Sequence, residues 1–572
     1  MNLLNRIYPQ IISFASSVCK KWKIGKTHLV ISALFCLVFC NVLLFDSCNS
    51  SKNNQASPQA LGSDGPVDIQ KPALQPLGDI ARGKEIFRFE TFGNEGFWFN
   101  AMRMQQGMAE KKVTPKKMLE IGLQFDMEAV DPELRKALEA EFKTDLSLQN
   151  APLLNNPMIT EKLINENAVI GVVPKDSNKD GKIDIMKGDM VGVSCAICHT
   201  VTDKYAFNMP DGGTAGRRID GLAPLTFNIG KLLATAQNSR AYYVNMQLIN
   251  KGKTTGRSVK GINAESTEAE IDAYLENPAN YPVGTFDETH DGIGNSVKNV
   301  PLFRQDLAAP YSSSGENPLF EDISNSSYTS NLDMSTMATP QGRELLFQRA
   351  GQAGIKVYED YKKILAETGV TGYPYVQAKM IGKTGEQHNV VGRRVDDQKL
   401  RDLTAYAFSL QAPAGAKVNK ERAARGRTLF RQSCTGCHNV DQGKPVNAKL
   451  VDLKTLWPGY NPQPAGMRGD AKQSPIINSP GNYDDKMVVI DASDHGEPRG
   501  VSLPLLLDLD RTTLFLHDGS VKSLDELLNP QRGGKSPHPF YIKDKSQRED
   551  MIEFLSGLDT NSDKGKTNNN QP

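Results

Sequence analysis

Apolar residues recur at helical spacing in two stretches that open and two that close a matching pattern. Ile80-Ala81-Arg82-Gly83-Lys84-Glu85-Ile86-Phe87 predicts a helix, and so does Glu421 to Phe430, which carries Ala424-Arg425-Gly426-Arg427 ahead of Leu429-Phe430. Both share an Ala-Arg-Gly-basic core followed by a bulky apolar pair. Asp396 to Leu410 places Leu400, Leu403, Ala407 and Leu410 on one face, and Gln411-Ala412-Pro413-Ala414-Gly415 ends it. Ser546 to Leu558 is a comparable helix, with Met551, Ile552, Phe554 and Leu555 apolar.

A third correspondence lies between these helices. Pro301-Leu302-Phe303 leads to Pro310-Tyr311-Ser312-Ser313-Ser314-Gly315, and Pro504-Leu505-Leu506 leads to Leu514-Phe515-Leu516-His517-Asp518-Gly519. Aligning the two glycines sets Ser313 opposite His517. The pattern suggests an internal duplication. The stretch from Pro278 to Pro340 reads as loop-rich.

The N-terminus has a different texture. Leu29 to Phe45 is apolar apart from small or polar Ser32 and Asn41, and a basic stretch ending at Lys26 precedes it. Seventeen helical residues span about 26 Å, a little short of the roughly 30 Å hydrocarbon core. The run predicts an export signal, a membrane anchor, or both, with the body outside the cytoplasm. Ser, Asn, Gln, Pro and Gly dominate from Cys48 to about Pro66, the composition of a flexible tether. The expected layout is a signal or anchor over 1–46, a tether over 47–76, a first domain over 77–415, a second over 416–560 and a disordered tail over 561–572.

Composition adds two limits. At 572 residues the chain is too long for one core, and 39% hydrophobic with 23% charged residues is ordinary for a soluble protein. The net charge is +1, and the first 45 residues hold five basic groups and no acid, which leaves −4 for the rest. Such a body offers no footprint for nucleic-acid phosphates.

Cysteine placement carries the chemistry. Of eight cysteines, three lie in or before the apolar run and four form Cys195-Ala196-Ile197-Cys198-His199 and Cys434-Thr435-Gly436-Cys437-His438. The remaining Cys48 follows the apolar run, where a bacterial lipoprotein would be cleaved and acylated. In Cys-x-x-Cys-His, one helical turn presents two thiols to the vinyl groups of a haem and the adjoining imidazole to its iron. Zinc binding and thiol–disulfide exchange use similar spacings. Two copies behind an export signal favour two covalent haems held by Cys195, Cys198 and His199 and by Cys434, Cys437 and His438. The sixth iron positions call for His or Met, or stay open to peroxide or O₂. His290, His388, His495, His517 and His538 remain for that role. His290 reads as a solvated loop residue or, alternatively, as a ligand of the first iron.

The order of these features resembles the bacterial di-haem cytochrome c peroxidase superfamily, with its MauG-type and rubber-oxygenase-type members. The resemblance rests on the two haem motifs, Ser409-Leu410-Gln411-Ala412-Pro413, Leu514 to Val521 and the closing helix, and in the first half on Val193 to His199 with Arg217-Arg218-Ile219-Asp220-Gly221. Ile86 to Trp98 sets the chain in a separate branch. The resemblance implies a mainly α fold with two cytochrome c-like domains, the first carrying long loop-rich insertions. It implies His538 as the distal ligand of the second iron, with His517, which matches a pocket residue, as the alternative. For the first iron, at His199, Ser313 cannot replace the pocket His, so an open or weakly held position where peroxide is reduced or O₂ activated is expected; the resemblance places no catalytic acid, and Glu95 and Glu288 are nominated. The donor would be a small redox protein or quinol-linked, and the site the cell envelope, with attachment through the N-terminal run or a lipid on Cys48. A pure electron carrier with both irons six-coordinate and a haem-based redox sensor are the alternatives.

Two further features complete the reading. Asp176 to Asp184 imitates a calcium loop, and some members of the superfamily hold a structural calcium, but position twelve is Lys187 where an acid is required, so a polar hairpin turn is preferred. Trp98 and Trp457 are the body tryptophans, each set in a core or against a haem.

Overall fold

Short polar side chains start the helices that frame the molecule. Those helices are α1 (Ile80–Phe89), α2 (Ala196–His199), α3 (Pro340–Glu367), α4 (Asp397–Ser409), α5 (Lys420–Ser433) and α6 (Lys545–Ser556). Asp79 caps α1 by accepting from the Arg82 amide, and Asp396, Asn419 and Asp544 do the same for α4, α5 and α6. The computed structural model describes residues 78–250, 253–254, 260–287, 290, 292, 297–312, 317–386, 389–443, 502–516, 519, 521–532, 538 and 540–560. These residues belong to one compact unit.

The expected helices appear within one to three residues of their predicted ends. Asp396 and Leu410 are the caps of α4 rather than members of it. Helix exceeds strand, 43% against 12%, and among the described residues no sheet has more than three strands or closes into a barrel. The pairs that matter for the site are β1 (Val172–Lys175) with β2 (Met190–Val193), β3 (Thr285–Phe286) with β4 (Val297–Lys298), and β5 (Lys379–Glu386) with β6 (Asn389–Arg394), all antiparallel. Most are too short for a period-two pattern to register in sequence. The loop-rich stretch from Pro278 to Pro340 also holds helical turns at Phe320–Ser326, Ser327–Asn331 and Met334–Ala338.

The matching sequence patterns fold into matching contacts. α1 crosses α4, and α5 crosses α6. A Cβ on Gly83 would overlap the Asp402 carbonyl and press on Tyr406, and a Cβ on Gly426 would overlap the Asp550 carbonyl and press on Phe554. The preceding arginine reaches that same aspartate in each crossing, Arg82 to Asp402 at 3.0 Å and Arg425 to Asp550 at 2.7 Å. An aromatic pair follows in each, Phe87 with Tyr406 at 5.5 Å and Phe430 with Phe554 at 5.3 Å.

The loops repeat as well. Arg304 and Asp508 have positive φ, as do Ser312 and Leu516, and lone antiparallel bridges join Tyr311 to Asn317 and Phe515 to Val521. All three correspondences hold at the register that sets Gly315 opposite Gly519.

The core is divided. A large cluster runs through Phe97, Met118, Phe125, Tyr243 and Tyr361, a second joins α1 to α4 through Phe87 and Leu403, and a third joins α5 to α6 through Phe430 and Phe554. The calcium-like sequence is the connection between β1 and β2. There the Asp176 carboxylate accepts from the Asp180 and Gly181 amides, and Lys187 pairs with Asp184 at 2.8 Å. No helix among the described residues is long and apolar enough to cross a membrane, and the Leu29–Phe45 run and Cys48 lie outside them.

Candidate functional site

Each motif forms one helical turn, and the chain before it is pinned. Asn94 brackets Val193, donating from Nδ2 to its carbonyl at 2.7 Å and accepting from its amide at 2.8 Å. Ser194 Oγ donates to the Arg88 carbonyl at 2.8 Å and ties the turn to α1. Cys195 then caps α2, which ends at His199. In the second motif the turn continues from α5, with the Cys437 and His438 amides donating to the Cys434 carbonyl at 3.0 and 2.9 Å. Spacing of three and four residues sets both sulfurs and the imidazole on one face.

Both faces open on one cavity of about 600 Å³, within the range of cofactor pockets. Cys195, Cys198 and His199 line it together with Cys434, His438 and His538. Its remaining walls are largely apolar and come from the repeated loops, with Tyr311 and Ser312 from one and Phe515 and Leu516 from the other.

Burial sets the protonation of the reactive groups. It pushes the Cys195 thiol up to about 11 and the Cys198 and Cys434 thiols up to about 12. Thiols held neutral suit an uncharged thioether better than a redox thiolate. His199 is pushed down to about 4 by burial, against the Val300 carbonyl, which raises it. His438 is pushed down to about 4 by burial first and by His538 second. Both rings are therefore neutral at neutral pH, the form that ligates a metal. The contact between His199 Nδ1 and the Val300 carbonyl, 2.8 Å, selects the tautomer in which Nε2 is the free ligand.

A covalent haem at each motif fits this arrangement. The cavity is largely apolar, the Cys195, Cys198 and Cys434 thiols and both imidazoles border it while Cys437 is exposed, and Trp98, 8% exposed on its wall, has an Nε1–H without an acceptor among the described residues. A porphyrin carboxylate is an acceptor of the kind that buried donor needs.

The nominated residues fall in different places. His538 is on the cavity wall and electrostatically coupled to His438. Glu95 accepts from Thr91 Oγ1 at 2.6 Å and is not among the cavity-lining residues. His290 is buried rather than solvated: Nε2 is 3.1 Å from the Ser330 carbonyl and Nδ1 is 3.4 Å from Arg349 Nη1. Glu288, His388, His495, His517, Ser313 and Trp457 lie outside the described residues. Among the described lining residues, the histidines are His199, His438 and His538, and Met551 is the one methionine.

The structure brings in residues that sequence reasoning did not single out. Tyr328 donates to the Glu90 carbonyl and lies 3.2 Å from Cys195 Sγ. Tyr242, Asp287 and Arg349 also reach the cavity. Asp287 adjoins the nominated Glu288, which is as near as the sequence pattern came.

No family model matches the chain, and no curated protein matches it. A solved structure of hydrazine synthase from Kuenenia stuttgartiensis, pressurised with 20 bar xenon, is 13% identical over 48% of this chain and 76% of that one, with a TM-score of 0.23. A likeness that low carries no argument about fold or function.

Proposed function

We propose that this protein is a di-haem c-type redox protein of the cell envelope. Electrons enter at the His438 motif and pass to the His199 motif, where a small oxidant, peroxide or O₂, is reduced. The observation that carries this reading is the single apolar cavity bordered by both Cys-x-x-Cys-His turns.

Bound haem supplies one-electron transfer and, where its sixth position is open, a place for peroxide or O₂. The chain supplies the rest. Cys195 and Cys198, and Cys434 and Cys437, fix the two groups to turns that are themselves tied to helices. The Val300 carbonyl orients His199. His538 would hold the second haem together with His438, and a group held by two imidazoles would be suited to electron transfer. An open first position is the part of the reading that would give peroxide or O₂ access to iron. Two cytochrome c-like domains, one around α1 and α4 and one around α5 and α6, are the architecture we infer from the repeated crossings. The electron donor would be a small redox protein or quinol-linked, with the N-terminal run or a lipid on Cys48 holding the chain at the membrane.

Intact mass and EPR of the purified full-length protein test the reading. The mature chain should exceed its polypeptide mass by two haem groups, with one low-spin and one high-spin ferric centre, the latter altered by added hydrogen peroxide. Free thiols at the four motif cysteines, or bound zinc in place of haem, would remove it. Two low-spin centres inert to peroxide, before and after partial reduction, would leave an electron carrier instead.

A further inference from the structure

Asp287 is the one carboxylate among the described residues that line the cavity, and it is 2% exposed. It directly follows β3, so pairing with β4 fixes its place. Two buried phenols stand beside it. Tyr281 Oη accepts from the Asp287 amide at 3.0 Å and lies 3.4 Å from Tyr242 Oη. Tyr242 shares the cavity wall with Cys198. Burial raises both phenols far above their ordinary range, and the negative charge of Asp287 raises them further. Asn245, 1% exposed, donates from Nδ2 to the Asp287 carbonyl at 3.0 Å, while its Oδ1 has no donor among the described residues. An unfilled buried acceptor beside two hydroxyls is a place for an ordered water. The result is a buried polar cluster on a wall that is largely apolar but also holds Lys298 and Arg349.

A carboxylate held in low dielectric responds strongly to a nearby change of charge. One electron added to a centre beside it disfavours its ionised form. We propose that Asp287, whose backbone amide is held by Tyr281, is the redox-linked proton site of the first centre. It takes up one proton when the haem at His199 takes up one electron. The inference rests on the di-haem reading above. The electron comes from the second centre and reduces the first iron by one unit. A solvent proton forms one O–H bond on the carboxylate, and nothing else is oxidised or reduced, so the net charge of the pocket is unchanged.

The other charged groups near Asp287 do not compete for that proton. Lys298 on β4 and Arg349 on the cavity wall are cations throughout the neutral range. The two phenols titrate far above it. His290, three residues on, is engaged by the Ser330 carbonyl and Arg349. Cys198 is held neutral by burial.

Spectroelectrochemical titration of the full-length di-haem protein across pH tests the assignment. The second centre is identified from a Cys195→Ala/Cys198→Ala variant. In the wild type the first potential should fall as pH rises through one window, and redox-difference infrared spectra should contain a carboxylic C=O band. Asp287→Asn should flatten that slope and delete that band, leaving the second centre unchanged. Tyr281→Phe, a milder change, should displace the window, and it carries the test if Asp287→Asn does not fold. A wild-type potential without slope, or a slope kept in Asp287→Asn, overturns the assignment. A mass showing no haem at the His199 motif overturns the functional reading itself and this site with it.

Discussion

Phe303 and Leu507 occupy the same place in two copies of one loop, and both are buried in one small apolar cluster with Val201 and Leu222. Their next neighbours, Arg304 and Asp508, share the left-handed backbone that turns each loop. The repeated segments thus meet through equivalent residues, and they do so on the wall of the cavity that both Cys-x-x-Cys-His motifs border. This cluster belongs to none of the three larger cores, so it is the apolar contact that holds the two loops in register.

Phe303→Ala follows directly from that placement. Truncating a fully buried phenylalanine costs about 3–5 kcal/mol, the transfer loss plus the cavity left behind. Chemical denaturation of the full chain should reveal a loss of that size, and Leu507→Ala a loss of about 2–5 kcal/mol. The double variant should fall short of the sum, because the two side chains share one cluster. Full additivity would mean that the two loops are not coupled through these residues.

The helix crossings make a sharper prediction. Gly426 is in contact with the Asp550 carbonyl and Phe554, and Gly83 with the Asp402 carbonyl and Tyr406. Backbone cannot yield there without parting the helices. Gly426→Ala should therefore separate α5 from α6 and lower haem retention at the Cys434 motif, while the Cys195 motif keeps its own. Gly83→Ala should do the reverse. Haem content per motif, read by peptide mass after digestion, checks both. An alanine variant with full haem at both motifs would mean the crossing tolerates a wider approach.

The helices that cross were legible in the sequence because their determinants are local, but their packing on one another was not read there. Caps, helical spacing and the Ala-Arg-Gly core lie within one or two turns of chain, and so do the motif turns themselves. The loop repeat was readable from the spacing of Pro301-Leu302 and Pro504-Leu505 ahead of Gly315 and Gly519 in the sequence. The cavity wall was not. Asp287 reaches it through a two-residue strand, Tyr242 through the 3₁₀ turn Ser239–Asn245, and Arg349 through the middle of α3. Nothing in the sequence around each points to the others, because their meeting is fixed by packing over long separations. His290 illustrates the same limit: the Glu-Thr-His-Asp-Gly context reads as a solvated loop, yet the ring is buried against Ser330 and Arg349.

His538→Ala tests the placement beside His438. The burial of His438 and its coupling to His538 put two imidazoles at one end of the cavity. Removing the second should convert a low-spin ferric signal to high-spin in the EPR spectrum and leave the signal of the first centre as it was. Added imidazole should restore the low-spin form by filling the vacated space. If the low-spin signal survives the substitution, another residue holds that position, and His517→Ala becomes the decisive variant.

Glu90 links stability to pH at the joint between α1 and α4. Burial raises its carboxyl, but Lys399 and the Phe92 amide, which donates at 2.8 Å, outweigh burial and leave it below the ordinary value of 4.5. The Thr91 amide adds a third donor at 3.1 Å. A depressed carboxylate stabilises the fold in full above its unfolded value. That contribution is lost as pH falls through the ordinary value toward the folded one. Glu90→Gln should therefore cost stability near neutral pH, about 1.5–3 kcal/mol, the range for hydrogen bonds to a charged group. The gap to the wild type should close as the solution is acidified below both values. Denaturation midpoints of the two proteins at neutral and acid pH measure it. A gap that persists unchanged into acid would assign the loss to packing of the side chain and not to its charge.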